Sequence, residues 1–95
     1  MKKYERDQME KYNGWKNYAT WRINLEVFDG LTLRDIDTVE TNPHEVSKIL
    51  KDYVEMGIGD ECKYGSLSYG YAMAFVSEVN FYEIAQHLLE QTEEV

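Results

Sequence analysis

Residues 42–57 read NPHEVSKILKDYVEMG, and this stretch decides the fold class. Asn42 is a helix N-cap, and Pro43 suits the first helical position, where an amide hydrogen would be unpaired in any case. Glu45 sits where a capping-box carboxylate reaches back to the cap. Val46, Ile49, Leu50, Tyr53 and Val54 then recur at the three- and four-residue spacing of one helical face. Gly57 is placed to take the left-handed conformation that closes a helix, so that Gly57–Glu61 reads as a loop.

The same signals repeat outward from this helix. Upstream, Asn13-Gly14 marks a turn, and Asn17 caps a second helix from about Tyr18 to Asp29, stopped by Gly30. Trp15 ahead of it, with Tyr18, Trp21, Leu25 and Phe28 at helical spacing, is expected to form its structural core, because large rings in this pattern pack inward. In residues 31–41, a Thr32–Asp35 pair suits a single capped turn, and the β-branched content leaves a short extended piece as the alternative. Downstream, Leu67, Tyr71, Phe75 and Val79 make one helical stripe, although Gly70 costs that helix about 1 kcal/mol relative to alanine. Asn80 with Glu83 repeats the cap pattern before Phe81, Ile84, Ala85, Leu88 and Leu89, the buried face of a last helix whose tail, Glu90–Val95, frays. Amphipathic segments joined by short loops predict an all-α fold. The expectation is a small bundle of about four helices in a single domain, 1–95, with a short N-terminal arm (1–16) and a helical body (17–95).

Charge divides the chain along the same line. The 95 residues carry 18 Asp and Glu against 10 Lys and Arg, a formal charge of −8. Residues 1–22 hold six basic and three acidic side chains, and residues 23–95 hold four basic and fifteen acidic. The arm is therefore basic and the body anionic. Direct nucleic-acid binding through phosphates is disfavoured by that sign. No apolar run approaches the roughly 18 residues of a membrane span, and the N-terminus has positive charge without an apolar segment behind it. No membrane partner and a cytoplasmic location are expected. The lone Cys62 fits a reducing compartment.

The motifs of catalysis are thin. Cys62 has no neighbouring base in a nucleophile motif, and neither His44 nor His87 lies in a metal-binding spacing such as HxxxH or HExxH. The glycines of Gly57-Ile58-Gly59 lack the third glycine and preceding strand of a dinucleotide site. The chain is expected not to be an enzyme, with no catalytic residues, no metal and no cofactor. Its chemistry-bearing groups are instead the carboxylates of the middle third: Asp35, Asp37, Glu40, Glu45, Asp52, Glu55, Asp60 and Glu61. Tyr64 and Tyr69 follow them, and exposed tyrosines beside acids are frequent contact residues at protein interfaces. These ten residues are the candidate partner-binding surface; a solvated acidic face that only keeps the protein soluble is the alternative.

Two segments carry a resemblance. Asn13-Gly14-Trp15-Lys16-Asn17-Tyr18-Ala19-Thr20-Trp21 and Asn80-Phe81-Tyr82-Glu83-Ile84-Ala85 resemble a group of small, largely uncharacterised phage and plasmid proteins with an NGWxNYxTW motif and a C-terminal NWxEIA helix. Phe81 stands where that pattern has Trp. The resemblance implies a mobile-element origin and a helical fold, and brings no catalytic residues. Small acidic proteins of such elements are often anti-CRISPR or anti-restriction inhibitors, some of which mimic DNA. The expectation is accordingly a stoichiometric inhibitor, in a bacterial or archaeal host cell, of a protein or ribonucleoprotein defence complex, docked on its basic nucleic-acid-binding surface. The alternative is a non-catalytic adaptor or structural module using an apolar, aromatic helix face, with a homodimer as one form.

Overall fold

A computed structural model describes Tyr12 and residues 14–93. The basic residues Lys2, Lys3, Arg6 and Lys11 of the arm lie outside the described residues. Four helices follow in order: α1 (Tyr18–Ile23), which runs on into a π-helical turn (Asn24–Phe28), α2 (Pro43–Glu61), α3 (Leu67–Val76) and α4 (Phe81–Glu93). No strand occurs among the described residues, and the all-α bundle is the observed architecture.

Each helix begins where a side chain can satisfy its orphan amides. The Asn42 Oδ1 accepts from the amides of His44 and Glu45, at 2.8 and 3.2 Å. The Ser66 hydroxyl accepts from the Tyr69 amide, and Asn80 Oδ1 from the Glu83 amide, both at 3.1 Å. Asn17 Oδ1 accepts from both the amide and the hydroxyl of Thr20, at 2.8 Å. Glu45 does not close a capping box. Its carboxylate pairs with Lys48, and Glu40 takes the Asn42 amide instead. Thr32 and Asp35 do cap a single turn, with Asp35 Oδ2 accepting from the Thr32 amide and hydroxyl.

α2 and α4 form the central pair of the bundle. Val46, Leu50 and Val54 of α2 and Phe81, Ile84, Ala85 and Leu88 of α4 are buried, joined by Phe28, Leu33 and Val76. At about 1.5–3 kcal/mol for each fully buried aliphatic or aromatic side chain, this cluster is the main driving force for folding. Ile58 packs against it one turn beyond Val54, which explains why the helix does not stop at Gly57. The 46-50-54-58 stripe stays on the core, and burial of Ile58 outweighs the helix cost of Gly57 and Gly59. The loop expected at Gly57–Glu61 is thus the last part of α2, and the left-handed glycine of the following turn is Gly65, with φ +83°.

The expected core of α1 is corrected in the same way. Phe28 is buried and Trp15 packs half-buried against the core cluster, but Leu25 is 47% exposed, Tyr18 38% exposed and Trp21 half-buried without joining that cluster. A stripe at Tyr18, Trp21 and Leu25 assumes an unbroken α-helix, whereas the Asp29 amide reaches back five residues to the Asn24 carbonyl at 2.7 Å. The buried face is turned by one residue, onto Ala19, Thr20, Ile23 and Val27, and the wider turn brings Phe28 inward. Tyr18 instead clamps at the surface, its ring edge-on to Phe75 of α3 at 6.2 Å and tilted against Trp21 at 5.6 Å. α3 is likewise rotated, with Val76 buried and Leu67 and Tyr71 exposed. α4 continues to Glu93, past the fraying point expected at Glu90.

The two motif segments meet. Wholly buried Thr20 accepts the Asn80 amide on its hydroxyl at 2.8 Å while donating to Asn17. Asn17 Nδ2 donates to the Glu78 carbonyl at 3.0 Å, and the Lys16 amide to Glu83 Oε1 at 3.2 Å. The start of α1 is thereby tied to the start of α4 across some sixty residues of chain. No buried side-chain nitrogen or oxygen among the described residues lacks a partner, as burial demands.

Candidate functional site

The ten residues singled out from the sequence divide into two groups along the chain. In the first, the carboxylates of Asp35, Glu40 and Glu45 are engaged locally. Asp35 caps its own turn, and Glu40 Oε1 accepts from the amides of Thr41 and Asn42 at 3.1 and 3.3 Å. Glu45 lies 3.6 Å from the Lys48 ammonium. Asp37 is exposed with φ +68°, a left-handed conformation that aspartate tolerates better than most residues. Its backbone position is what closes the turn, since its amide donates to the Arg34 carbonyl at 2.9 Å.

The second group belongs to the later part of α2 and the turn after it. Asp52 is exposed and Glu55 half-buried, and Asp60 and Glu61 are exposed in the last turn. The C-terminal end of a helix carries partial negative charge, so an acid there is unfavourable by about 0.3–1 kcal/mol, and helices ordinarily place a base in that turn. α2 has none. Among the described residues, the ion pairs are Arg22–Glu26 and Lys48–Glu45, so neither Asp60 nor Glu61 is offset in that way. Tyr64, 83% exposed, lies three residues beyond, with its ring 5.1 Å from that of half-buried Tyr69. Asp60, Glu61, Tyr64 and Tyr69 therefore converge on the α2–α3 junction. The acids of the Thr32–Glu45 stretch belong to a different part of the surface economy, that of turn and cap.

Charge density sets what this surface can imitate. The 19 residues of α2 rise about 1.5 Å each and span about 28 Å, a length over which duplex DNA carries about 17 phosphate charges. On α2, Glu45, Asp52, Glu55, Asp60 and Glu61 are set against Lys48 and Lys51, leaving −3. The helix offers a focused acidic end rather than a replica of a phosphate backbone.

Other chemistry is sparse. Among the described residues no group of three His, Cys, Asp or Glu side chains converges as a metal-ligand set. Cys62 is half-buried at the end of α2, and His44 is exposed in its first turn. His87 is exposed on α4, its ring edge-on to Trp15 at 5.2 Å and its Nε2 3.1 Å from Gln91 Nε2. An open groove of about 410 Å³ lies beside that contact, bordered by Trp15, Asn24, Glu83, Gln86, His87 and Glu90. Glu83 is held there by the Lys16 amide, and no nucleophile faces a base. On α1, hydrogen bonds from Arg22 to Glu26, then to Tyr18, push its guanidinium pKa further up, so it stays cationic and locally paired. No described helix is long and apolar enough to cross a membrane.

Sequence reasoning missed the knot of Asn17, Thr20, Asn80 and Glu83. The available signal was the two asparagines and the threonine within the motif segments themselves, polar residues set among aromatic ones in the sequence. No family model, curated protein or solved structure matches the chain.

Proposed function

We propose that this chain is a non-catalytic binding protein, a phage- or plasmid-encoded inhibitor that occupies a basic nucleic-acid-binding surface of a host defence complex, of the anti-CRISPR or anti-restriction kind. The observation that carries the reading is the pair Asp60 and Glu61, exposed at the end of α2 where they oppose the helix dipole. Charges kept where they cost local stability are expected at functional sites. Lysines and arginines of a partner would supply the compensating charge, while Tyr64 and Tyr69 supply an apolar contact that slows dissociation. Asp52 and Glu55 extend the same field along α2. Asp35, Asp37, Glu40 and Glu45 contribute to long-range attraction rather than to contact. The mobile-element origin comes from the NGWxNYxTW resemblance alone.

Pull-down from bacterial cells that carry CRISPR-Cas and restriction systems, eluted by a salt gradient, tests the reading. Recovery of a nucleic-acid-binding complex that elutes as salt rises supports it, because screening removes contacts between exposed charges. Retention that ignores salt contradicts it. The second reading, an adaptor working through an apolar helix face, is favoured by exposed Leu67 and Tyr71. Charge reversal of Asp52, Glu55, Asp60 and Glu61 separates the two: the inhibitor loses its target and the adaptor keeps it.

A further inference from the structure

α3 is apolar round its circumference except at exposed Ser68, yet it is not enclosed. Tyr69, Ala72, Met73 and Val76 turn towards the bundle, whereas Leu67 is 74% and Tyr71 69% exposed, with Gly70 and Ala74 exposed beside them. Positions 67, 70, 71 and 74 follow the i, i+3, i+4, i+7 spacing of a helix-packing seam on the face opposite the buried one. A helix that is apolar on every side is ordinarily covered on every side.

Gly70 gives the second observation. It is helical without a positive φ, and a Cβ built on it meets nothing within 4 Å. Nothing inside the protomer calls for glycine, the poorest helix former after proline. A close approach from outside does.

The order of residues names the occupant. Residues 64–77 contain no charged side chain in a chain where 29% are charged, and the run is bounded by Lys63 before it and Glu78 after it. Turned antiparallel on itself about a point between Gly70 and Tyr71, the seam is complementary in size. Leu67 meets Ala74 of the second copy, and Tyr71 lies over Gly70 of the second copy. Lys63 and Glu78, of opposite charge, bound the run at equal sequence distance from that point. Both are exposed, neither has an ion pair among the described residues, and the Glu78 backbone is fixed by Asn17 Nδ2. A two-fold homodimer makes each of these contacts twice. Each exposed tyrosine ring offers on the order of 150 Å². Tyr71 with Leu67 therefore forms a small apolar centre, in keeping with a weak, reversible dimer rather than a standard-size interface.

We infer that α3 is a homodimer interface, packed antiparallel across a two-fold axis between Gly70 and Tyr71, with reciprocal Lys63–Glu78 pairs at its ends. This inference is separate from the acidic-end reading, because its variants leave Asp60 and Glu61 untouched. Sedimentation equilibrium of the full chain at about 0.15 M salt, where repulsion between anionic bodies is screened within about 8 Å, tests it. The wild type is expected to dimerise at roughly 10–100 μM, and Tyr71→Glu to weaken dimerisation about thirtyfold or more with its circular dichroism unchanged. Gly70→Ala is expected to raise the melting temperature of the dilute monomer while weakening the dimer, two effects of opposite sign. Lys63→Glu and Glu78→Lys should each weaken the dimer, and the double exchange should restore it, fixing the register. A single-chain mass up to about 1 mM overturns the interface. A dimer indifferent to Tyr71→Glu and Gly70→Ala overturns it equally, and a charge exchange without rescue overturns the register.

Discussion

The two ends of α2 are built on opposite terms. At its start, Asn42 caps two amides, Glu40 takes a third, proline fills the first position and Glu45 is paired with Lys48, so each charge or dipole has a local answer. At its end, Asp60 and Glu61 face solvent against the dipole, and the aromatic ring that follows, Tyr64, is exposed. Both ends are carried by one rigid rod anchored on the core through Val46, Leu50 and Val54. The difference separates the acids that organise the chain from those available to something outside it. A count of carboxylates does not make that separation.

Removing the anchor tests whether the ends belong to one rod. Leu50, fully buried at the centre of α2, is expected to cost about 2–5 kcal/mol on substitution by alanine, read as a lower midpoint in urea unfolding with both ends lost together. Thr20→Val comes next. It leaves the Asn80 amide without its acceptor at a buried junction, an expected loss of about 1–3 kcal/mol by the same measurement, with α4 loosened more than α2 in hydrogen exchange. Asn42→Ala removes the cap at the satisfied end and should cost about 1 kcal/mol. The smallest effect has the opposite sign: Asp60→Asn and Glu61→Gln relieve the dipole clash and should each stabilise by about 0.3–1 kcal/mol at low salt. If those two substitutions destabilise as Asn42→Ala does, the ends are not different in kind.

Much of the bundle was legible in the residues because its signals are local. Asn42-Pro43 and Asn80 with Glu83 mark helix starts by side-chain chemistry that needs no tertiary partner, and the α4 stripe from Phe81 to Leu89 was correct because a single clean face leaves one solution. The failures are places where packing decides. Gly57 reads as a stop until Ile58 is seen on the core. The Tyr18-Trp21-Leu25 face assumes a constant helical period, which the π-helical turn breaks. α3 has apolar residues on all sides, so periodicity carried no phase, and Leu67 and Tyr71 were assigned inward when they point out. Among the candidate acids, the sequence located the charge but did not divide it, since Asp35 and Glu40 are engaged through backbone amides that no charge count includes.

The most direct test is the affinity of the wild type and the Asp60→Asn/Glu61→Gln variant for a panel of purified CRISPR effector complexes and restriction enzymes, measured across a salt series. The expected result is a bound target whose affinity falls steeply with salt and at least about tenfold with the double substitution, while the melting temperature holds or rises. Equal affinity of the two proteins for a bound target, or binding that salt does not change, would contradict an acidic end kept for a basic partner.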